Sequence, residues 1–367
     1  MNDFEKDFII EIVKFNTNIE KIEKLIKSNE INWIKLLGFI SYHRIAGLVY
    51  DKMNKINIRL LDFPVFFSTY MINQSQKIRN DYQLEEIKKI AKELNKNKIK
   101  YVFLKGSILN QTLFESGTRS SNDIDILINK DSIQSATKLL NNLGYVQGKY
   151  NYQKNIIESF SNEELMLSLK SRGETCPFVK IVNKTAIKTI DVDLNFSLDW
   201  TPDYNQSKIE EILNNRIKIK ISENDIIYSA SIYDNIIELC THLYKDSALI
   251  DIIKKRKVFD LYKFIDVYYY ININFKHIDF KVLKKKITFF KAEKFVYFTL
   301  KYLIEIFEDF KTKEISSLIN ELEKYINDDK ILDTIFDQYN EENKLLTSIK
   351  IRDRIFEYNI INKYKGE

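Results

Sequence analysis

Two short runs of this chain alternate Asp with aliphatic residues: Asp123-Ile124-Asp125-Ile126-Leu127-Ile128 and Ile190-Asp191-Val192-Asp193-Leu194. Asp is depleted in β-strands, so a pair at alternate positions inside a β-branched run demands a reason. Side chains alternate along a strand, which puts Asp123 and Asp125 on one face, separated by about 6.6 Å at a rise of about 3.3 Å per residue. Like charges that close repel, and partial burial sharpens the repulsion unless a cation compensates. Carboxylate oxygens suit Mg²⁺, which keeps several waters and takes one or two carboxylates together with substrate phosphates. Asp191 and Asp193 share a face in the same way, and a third carboxylate from that run would complete a site for two ions.

Upstream, Leu104-Lys105-Gly106-Ser107 has the composition of a strand end that opens a helix. Glycine permits close backbone approach, the serine offers a hydroxyl, and a helix N-terminus presents free N–H groups with a favourable dipole. Those features together make a phosphate cradle, to which Lys105 and Arg119 add charge; Ser121, in the same turn as Arg119, belongs to the same candidate set. A lone Asp-x-Asp is common in loops, and a lone Gly-Ser after a strand is weaker still. What points to chemistry is their order: strand, Gly-Ser, helix, turn, Asp-x-Asp strand, later acidic strand.

The elements that must position these residues follow from periodicity. Residues 1–95 show helical spacing, for example Trp33, Leu36, Leu37 and Ile40, then Leu84, Ile87, Ile90, Ala91 and Leu94. Pro64 marks a break between helices around 60–65. A strand is expected over 99–104, a helix over 108–114, a turn over 115–122 and a strand over 123–128. Asp131 and Ser132 are candidate caps for a helix running to Leu143 and ended by Gly144. The segment 150–185 is ambiguous, with a helix and then a hairpin turning at Asn183-Lys184 as the expectation. A third strand is expected over 189–198, and beyond Pro202 the chain reads as helical to its end. The fold class is therefore α+β, with a short mixed sheet and its helices as the core. Three regions follow: an N-terminal helical region over 1–95, a core over 96–200 and a C-terminal helical domain over 201–367.

Composition bounds the partners. Lys and Arg number 57 against 52 Asp and Glu, a net charge of +5. So mild an excess permits an anionic small substrate without requiring a polynucleotide. Two cysteines, Cys176 and Cys240, are too few for a disulfide framework or a zinc site. The first residues lack the basic-then-apolar pattern of a signal peptide, and no run of about 18 apolar residues occurs. A cytoplasmic protein that does not engage a membrane is expected.

The run Leu104-Lys105-Gly106, then Gly117-x-Arg119-x-x-x-Asp123-Ile124-Asp125-Ile126-Leu127-Ile128, resembles the bacterial nucleotidyltransferase family of the DNA polymerase β-like superfamily. Leu139-Leu140-x-x-Leu143-Gly144-Tyr145 resembles it too. Flanking stretches extend the likeness over roughly 30–270: His43-Arg44-Ile45-Ala46-Gly47-Leu48 on one side, Glu238-Leu239-x-x-His242-x-x-Lys245 and Val258-Phe259-Asp260-Leu261 on the other. The resemblance implies a polymerase β-like core and assigns Asp123 and Asp125 to the metal pair, with Gly106 and Ser107 at the phosphate turn. Where the family carries an acidic residue followed by Leu-His-Trp, this chain has Asp193-Leu194-Asn195-Phe196, which favours Asp193 over Asp191 as third carboxylate. It departs there from the family in having Asn195 and Phe196.

The expected function is transfer of a nucleoside monophosphate from NTP, ATP first, to an acceptor hydroxyl, with two Mg²⁺ ions (or Mn²⁺) and release of pyrophosphate. A small-molecule acceptor is favoured over a macromolecule such as tRNA or a protein; a catalytically silent nucleotide-binding protein is the alternative outside enzymes. His242 and Lys245 join the nucleotide-binding candidates. His43 and His277 are read as packing or solvent-facing, Lys254-Lys255-Arg256-Lys257 and Lys284-Lys285-Lys286 as solvated helix faces, and Tyr268-Tyr269-Tyr270 as helix packing. There is no Gly-x-x-x-x-Gly-Lys-Ser/Thr loop, no Gly-x-Gly-x-x-Gly, no His-Glu-x-x-His and no Gly-x-Ser-x-Gly.

Overall fold

The structure, a computed structural model, describes residues 1–28, 31–198, 206–256, 259–337, 340 and 342–366. Pro202, Lys257 and Val258 fall outside the described residues. The chain divides into two compact units, Gln74–Glu238 and a second built from Met1–Asn73 with Leu239–Glu367.

The second unit opens with helices α1 (Asp3–Ile12), α2 (Ile19–Ser28), α3 (Trp33–Tyr42) and α4 (Ala46–Met53). The break expected near Pro64 is present: α5 (Phe63–Lys96) starts there, with proline in its first turn and Asp62 Oδ1 accepting the Val65 N–H at 3.0 Å. Proline is tolerated in a first turn, where its missing N–H has no intrahelical partner anyway.

Unit Gln74–Glu238 is organised by one sheet. Its elements in chain order are β1 (Tyr101–Leu104), α6 (Gly106–Thr112), β2 (Asp123–Ile128), α7 (Ile133–Asn142), β3 (Val146–Asn151), β4 (Ile156–Ser159), α8 (Asn162–Ser171), β5 (Phe178–Lys184), β6 (Ile187–Asn195), α9 (Ser207–Asn214), β7 (Ile217–Lys220) and β8 (Ile226–Ser229). The eight strands lie in the order β4-β3-β5-β6-β2-β1-β8-β7. β2 runs parallel to β6 and β1 parallel to β8, while β1 pairs β2 antiparallel. Val102, Phe103, Ile124, Ile126, Leu127, Ile128 and Val192 are fully buried, each worth about 1.5–3 kcal/mol relative to exposure. Central strands that apolar have a sheet neighbour on both sides, so they cannot slip register without exposing that surface.

The sheet is mixed, as expected, but far from short. Polar composition hid its flanking strands: β3 (Val-Gln-Gly-Lys-Tyr-Asn) and β7 (Ile-Lys-Ile-Lys) sit toward the sheet's ends, β3 mostly half-buried or exposed and β7 mostly exposed. The expectation of helix throughout the residues after Pro202 therefore fails at β7 and β8, and again at short strands over 334–336, 344–346 and 365–366. A hairpin does form near Asn183-Lys184, with Asn183 and Ala186 both at positive φ and Lys184 paired with Ile187. The third expected strand runs over Ile187–Asn195 and so stops at Asn195 rather than Leu198. Before α7 the cap is Asn129, whose side chain accepts the Asp131 N–H, whereas Ser132 makes no side-chain cap bond. Gly144, at φ +86°, ends that helix turn as expected.

Leu239–Glu367 continues from α10 (Ile232–Ala248) through α11 (Ile250–Arg256), α12 (Leu261–Asn274), α13 (Phe280–Phe290), α14 (Glu293–Ile306), α15 (Lys313–Glu323) and α16 (Ile351–Arg354), with a small antiparallel sheet of β9 (Thr334–Phe336), β10 (Lys344–Leu346) and β11 (Lys365–Gly366). Tyr268, Tyr269 and Tyr270 are buried in α12, the Tyr268 ring stacked on Phe307 at 4.1 Å. Among the described residues no helix is long and apolar enough to cross a membrane.

Candidate active site

The parallel pairing of β2 with β6 sets Asp123 beside Asp191 and Asp125 beside Asp193. Register partners in a sheet project from the same face, so the two acidic runs converge there. Antiparallel pairing of β1 with β2 puts Leu104 opposite Asp125. The next residue, Lys105, thus leaves β1 directly beside the carboxylates.

Lys105 takes a backbone conformation, φ 47° and ψ −127°, that side-chain-bearing residues rarely adopt. Such strain costs about 1–3 kcal/mol and persists only where the surroundings enforce it. Here α6 begins at once: the Lys105 carbonyl accepts from Leu109 N–H at 2.8 Å and Ile108 N–H at 3.1 Å. The turn aims the lysine inward, and its Nζ lies 2.7 Å from Asp125 Oδ1, with side chains 17% and 4% exposed. Burial works against the ammonium charge, but Asp125, Glu238 and Asp123 outweigh it and hold the Lys105 pKa above the ordinary lysine value.

Asp125 is further fixed by its neighbours. Its backbone N–H donates to Ser107 Oγ at 2.9 Å, and Asn195 Nδ2 donates to its Oδ1 at 3.4 Å. Asn195 Nδ2 also reaches the Asp193 carbonyl at 3.3 Å. Ser107 is buried, so its hydroxyl anchors β2 to α6. Gly106 is needed for close approach, although by side chains of the same unit: a Cβ there would stand 2.5 Å from an Arg119 guanidinium nitrogen and 2.5 Å from Ser121 Oγ. Arg119 is itself buried and donates to the Ser120 carbonyl at 3.3 Å, while Ser121 Oγ donates to the Asp123 carbonyl at 3.2 Å.

The electrostatics separate the two aspartates of β6. Asp193 is pushed well above the usual carboxylate range, first by burial, then by the charges of Asp123, Asp125 and Glu174, with Lys105 pulling the other way. Asp191 is raised chiefly by burial, which Thr189 and Arg79 oppose, and its Oδ1 is buried with no hydrogen-bond partner. The β2 pair thus helps raise Asp193, whereas the shift at Asp191 is set chiefly by its burial. The donors, crowded carboxylates of β2 and β6, have the hard-oxygen chemistry of a Mg²⁺ site. As the side chains stand, no group of three or more His, Cys, Asp or Glu among the described residues has metal-holding geometry; the cation among these carboxylates is Lys105.

The model of a family described as uncharacterised nucleotidyltransferase matches residues 29–308. The chain belongs to that family. A search of curated proteins finds no match.

A family so described brings nucleotide binding and group transfer to this chain, and the acidic face of β2 and β6 is where its strands concentrate reactive groups. His242 and Lys245 stand on α10, where His242 Nε2 is 3.9 Å from Asp246, itself paired with Lys263. His43 is buried, its Nδ1 accepting the Leu261 N–H at 3.1 Å, and His277 faces solvent. Lys284 pairs with Glu321 on the helix surface. Cys176 and Cys240 are buried and not joined in a disulfide. Two further carboxylates belong to the site and escaped the sequence. Glu174, bridged to Asn195, lies in the ambiguous 150–185 segment and had no pattern to mark it. Glu238, whose charge acts on Lys105, heads the flanking run Glu238-Leu239-x-x-His242-x-x-Lys245, but its residue type and spacing gave it no role at the site.

Proposed function

We propose that this nucleotidyltransferase-family chain moves a nucleoside monophosphate from NTP to an acceptor hydroxyl at the face bearing Asp123, Asp125 and Asp193, and that it is a polymerase β-like enzyme. The observation carrying the proposal is the register that sets Asp125 beside Asp193. Mg²⁺ would be held by Asp123, Asp125 and Asp193, where it would supply charge to the triphosphate and to departing pyrophosphate.

The chain's own groups account for the rest. Asp193, with a proton affinity raised by burial and by Asp123, Asp125 and Glu174, is suited to take the proton of the acceptor hydroxyl. The freed oxygen attacks the α-phosphorus in line, the bond to the β-phosphate oxygen breaks, and pyrophosphate leaves. Gly106 and Ser107 shape the turn beside Asp125, and Arg119 and Ser121 pack over it. The acceptor is proposed to be a small molecule, in keeping with a net charge of only +5.

Pyrophosphate release from NTP and Mg²⁺ across a panel of hydroxyl acceptors tests this. Asp123→Asn and Asp125→Asn should fold and each lose at least about 10²-fold in turnover, since charge stabilisation of this kind is worth several kcal/mol. Wild-type turnover in either variant refutes the assignment. Nucleotide binding without release by the wild type, with any acceptor, makes the chain a silent binding protein instead.

A further inference from the structure

We propose that Lys105 is a resident cation of the carboxylate cluster, standing where a second divalent ion would otherwise bind, so that the loaded site holds one metal ion per nucleotide rather than two. The inference rests on the nucleotidyl-transfer reading above and concerns how that site is charged.

Three observations carry it. First, an aspartate that bridges two ions needs one carboxylate oxygen for each, and Asp125 Oδ1 already accepts from Lys105 Nζ at 2.7 Å and from Asn195 at 3.4 Å. Only Oδ2 remains for a metal. Second, the lysine is not a surface side chain folded in by chance. Its position is dictated by a main chain at φ 47°, locked between β1 and the hydrogen bonds that start α6. A backbone held in so unfavourable a conformation marks a side chain whose direction matters. Third, the ammonium lies within the influence of Asp123 and Glu238 as well as Asp125, so leaving would uncover several carboxylates at once.

The chemistry this implies is a division of labour. A fixed ammonium supplies one positive charge beside Asp125 without drawing a second ion from solution, and the single exchangeable ion enters with the triphosphate. Lys105 is then a positioning residue, keeping Asp125 in place for that ion, and its substitution changes how many ions bind as well as how fast transfer runs.

Equilibrium dialysis of the full chain against Mn²⁺ and a non-hydrolysable ATP analogue, both in excess, gives the ratio of bound metal to bound nucleotide. The expected ratio is one for the wild type and for Lys105→Arg, and two for Lys105→Met, whose neutral side chain opens Asp125 Oδ1. A wild-type ratio of two overturns the inference and leaves the transfer reading intact. A ratio of one in Lys105→Met, with circular dichroism showing a folded chain, overturns it as well. Should Lys105→Met not fold, the wild-type ratio decides: one supports Lys105 as resident cation, two refutes it. Nucleotide bound with no Mn²⁺ at all removes the metal premise of the transfer reading too, which separates the two failures.

Discussion

Acid should weaken this protein through His43 by a calculable amount. The imidazole is 1% exposed, and burial pulls its pKa from the ordinary 6.5 down to about 3. Its Nδ1 accepts the Leu261 N–H, an arrangement that only the neutral ring can make. Because the folded pKa lies below the unfolded one, the unfolded chain binds the extra proton, so stability is present above pH 6.5 and is lost as pH falls toward 3. At pH 5 the loss is RT ln(1 + 10^1.5), about 2 kcal/mol; below pH 3 it reaches about 5 kcal/mol, from 1.36 kcal/mol per pKa unit. His43→Asn places an amide oxygen near the Nδ1 position, keeping the acceptor without the titration. Urea unfolding of both proteins at pH 8 and pH 5 isolates His43 from the carboxylates, which titrate alike in each. The wild type should lose about 2 kcal/mol more than His43→Asn between those pH values. An equal loss in both would mean that His43 charges without unfolding, and the burial argument would be wrong.

Gly106→Ala should lower stability by about 1–3 kcal/mol through overpacking against Arg119 and Ser121, despite alanine's better helix propensity, and a raised melting temperature would contradict the crowding. On α5, Glu86 accepts from Tyr145 Oη, Lys180 Nζ and Lys89 Nζ at 2.9, 2.8 and 2.7 Å. Glu86→Ala should cost about 3 kcal/mol, because it strands a buried hydroxyl and a largely buried ammonium; a loss below about 1 kcal/mol in chemical denaturation would show the cluster to be ornamental. The two aspartates of β6 should also part company in the pyrophosphate assay. Asp193→Asn should abolish release and Asp191→Asn should retain most of it, and the reverse order would transfer the catalytic assignment to Asp191.

Legibility in the sequence tracked how strongly local pattern constrains structure. The span 123–128 could be bounded from residues alone because Asp123 and Asp125 alternate with Ile124 and Ile126 before Leu127 and Ile128, a period of two that a strand, not a helix, places on opposite faces. The break at Pro64 and the stop at Gly144 follow from single-residue stereochemistry and were equally visible. β3, β4 and β7 were not, since strands near a sheet's ends with exposed side chains carry little apolar signal, and their existence depends on partners far along the chain. Glu174 belongs to the same category. Its place at the site comes from a bridge to Asn195, a contact 21 residues away that no spacing rule anticipates.

Lys105 shows where pattern ends and pairing begins. In sequence it precedes Gly-Ser at a strand end, and charge at such a turn suggests a phosphate ligand. Its actual surroundings depend on two facts that periodicity never states: β1 lies antiparallel to β2, and Leu104 falls opposite Asp125. Shift that register by two residues and the lysine would emerge beyond the acidic face; keep it and the first side chain after β1 meets the most buried carboxylate in the cluster. The same pairing makes Asp125, not Asp123, the residue held by Ser107 and Asn195. The acidic pair is therefore unequal in structure, with Asp125 anchored at its amide and one oxygen while Asp123 sits at the more open start of the strand. Rigidity at Asp125 and access at Asp123 are what a site needs if it must keep its charge geometry while a charged substrate enters and leaves.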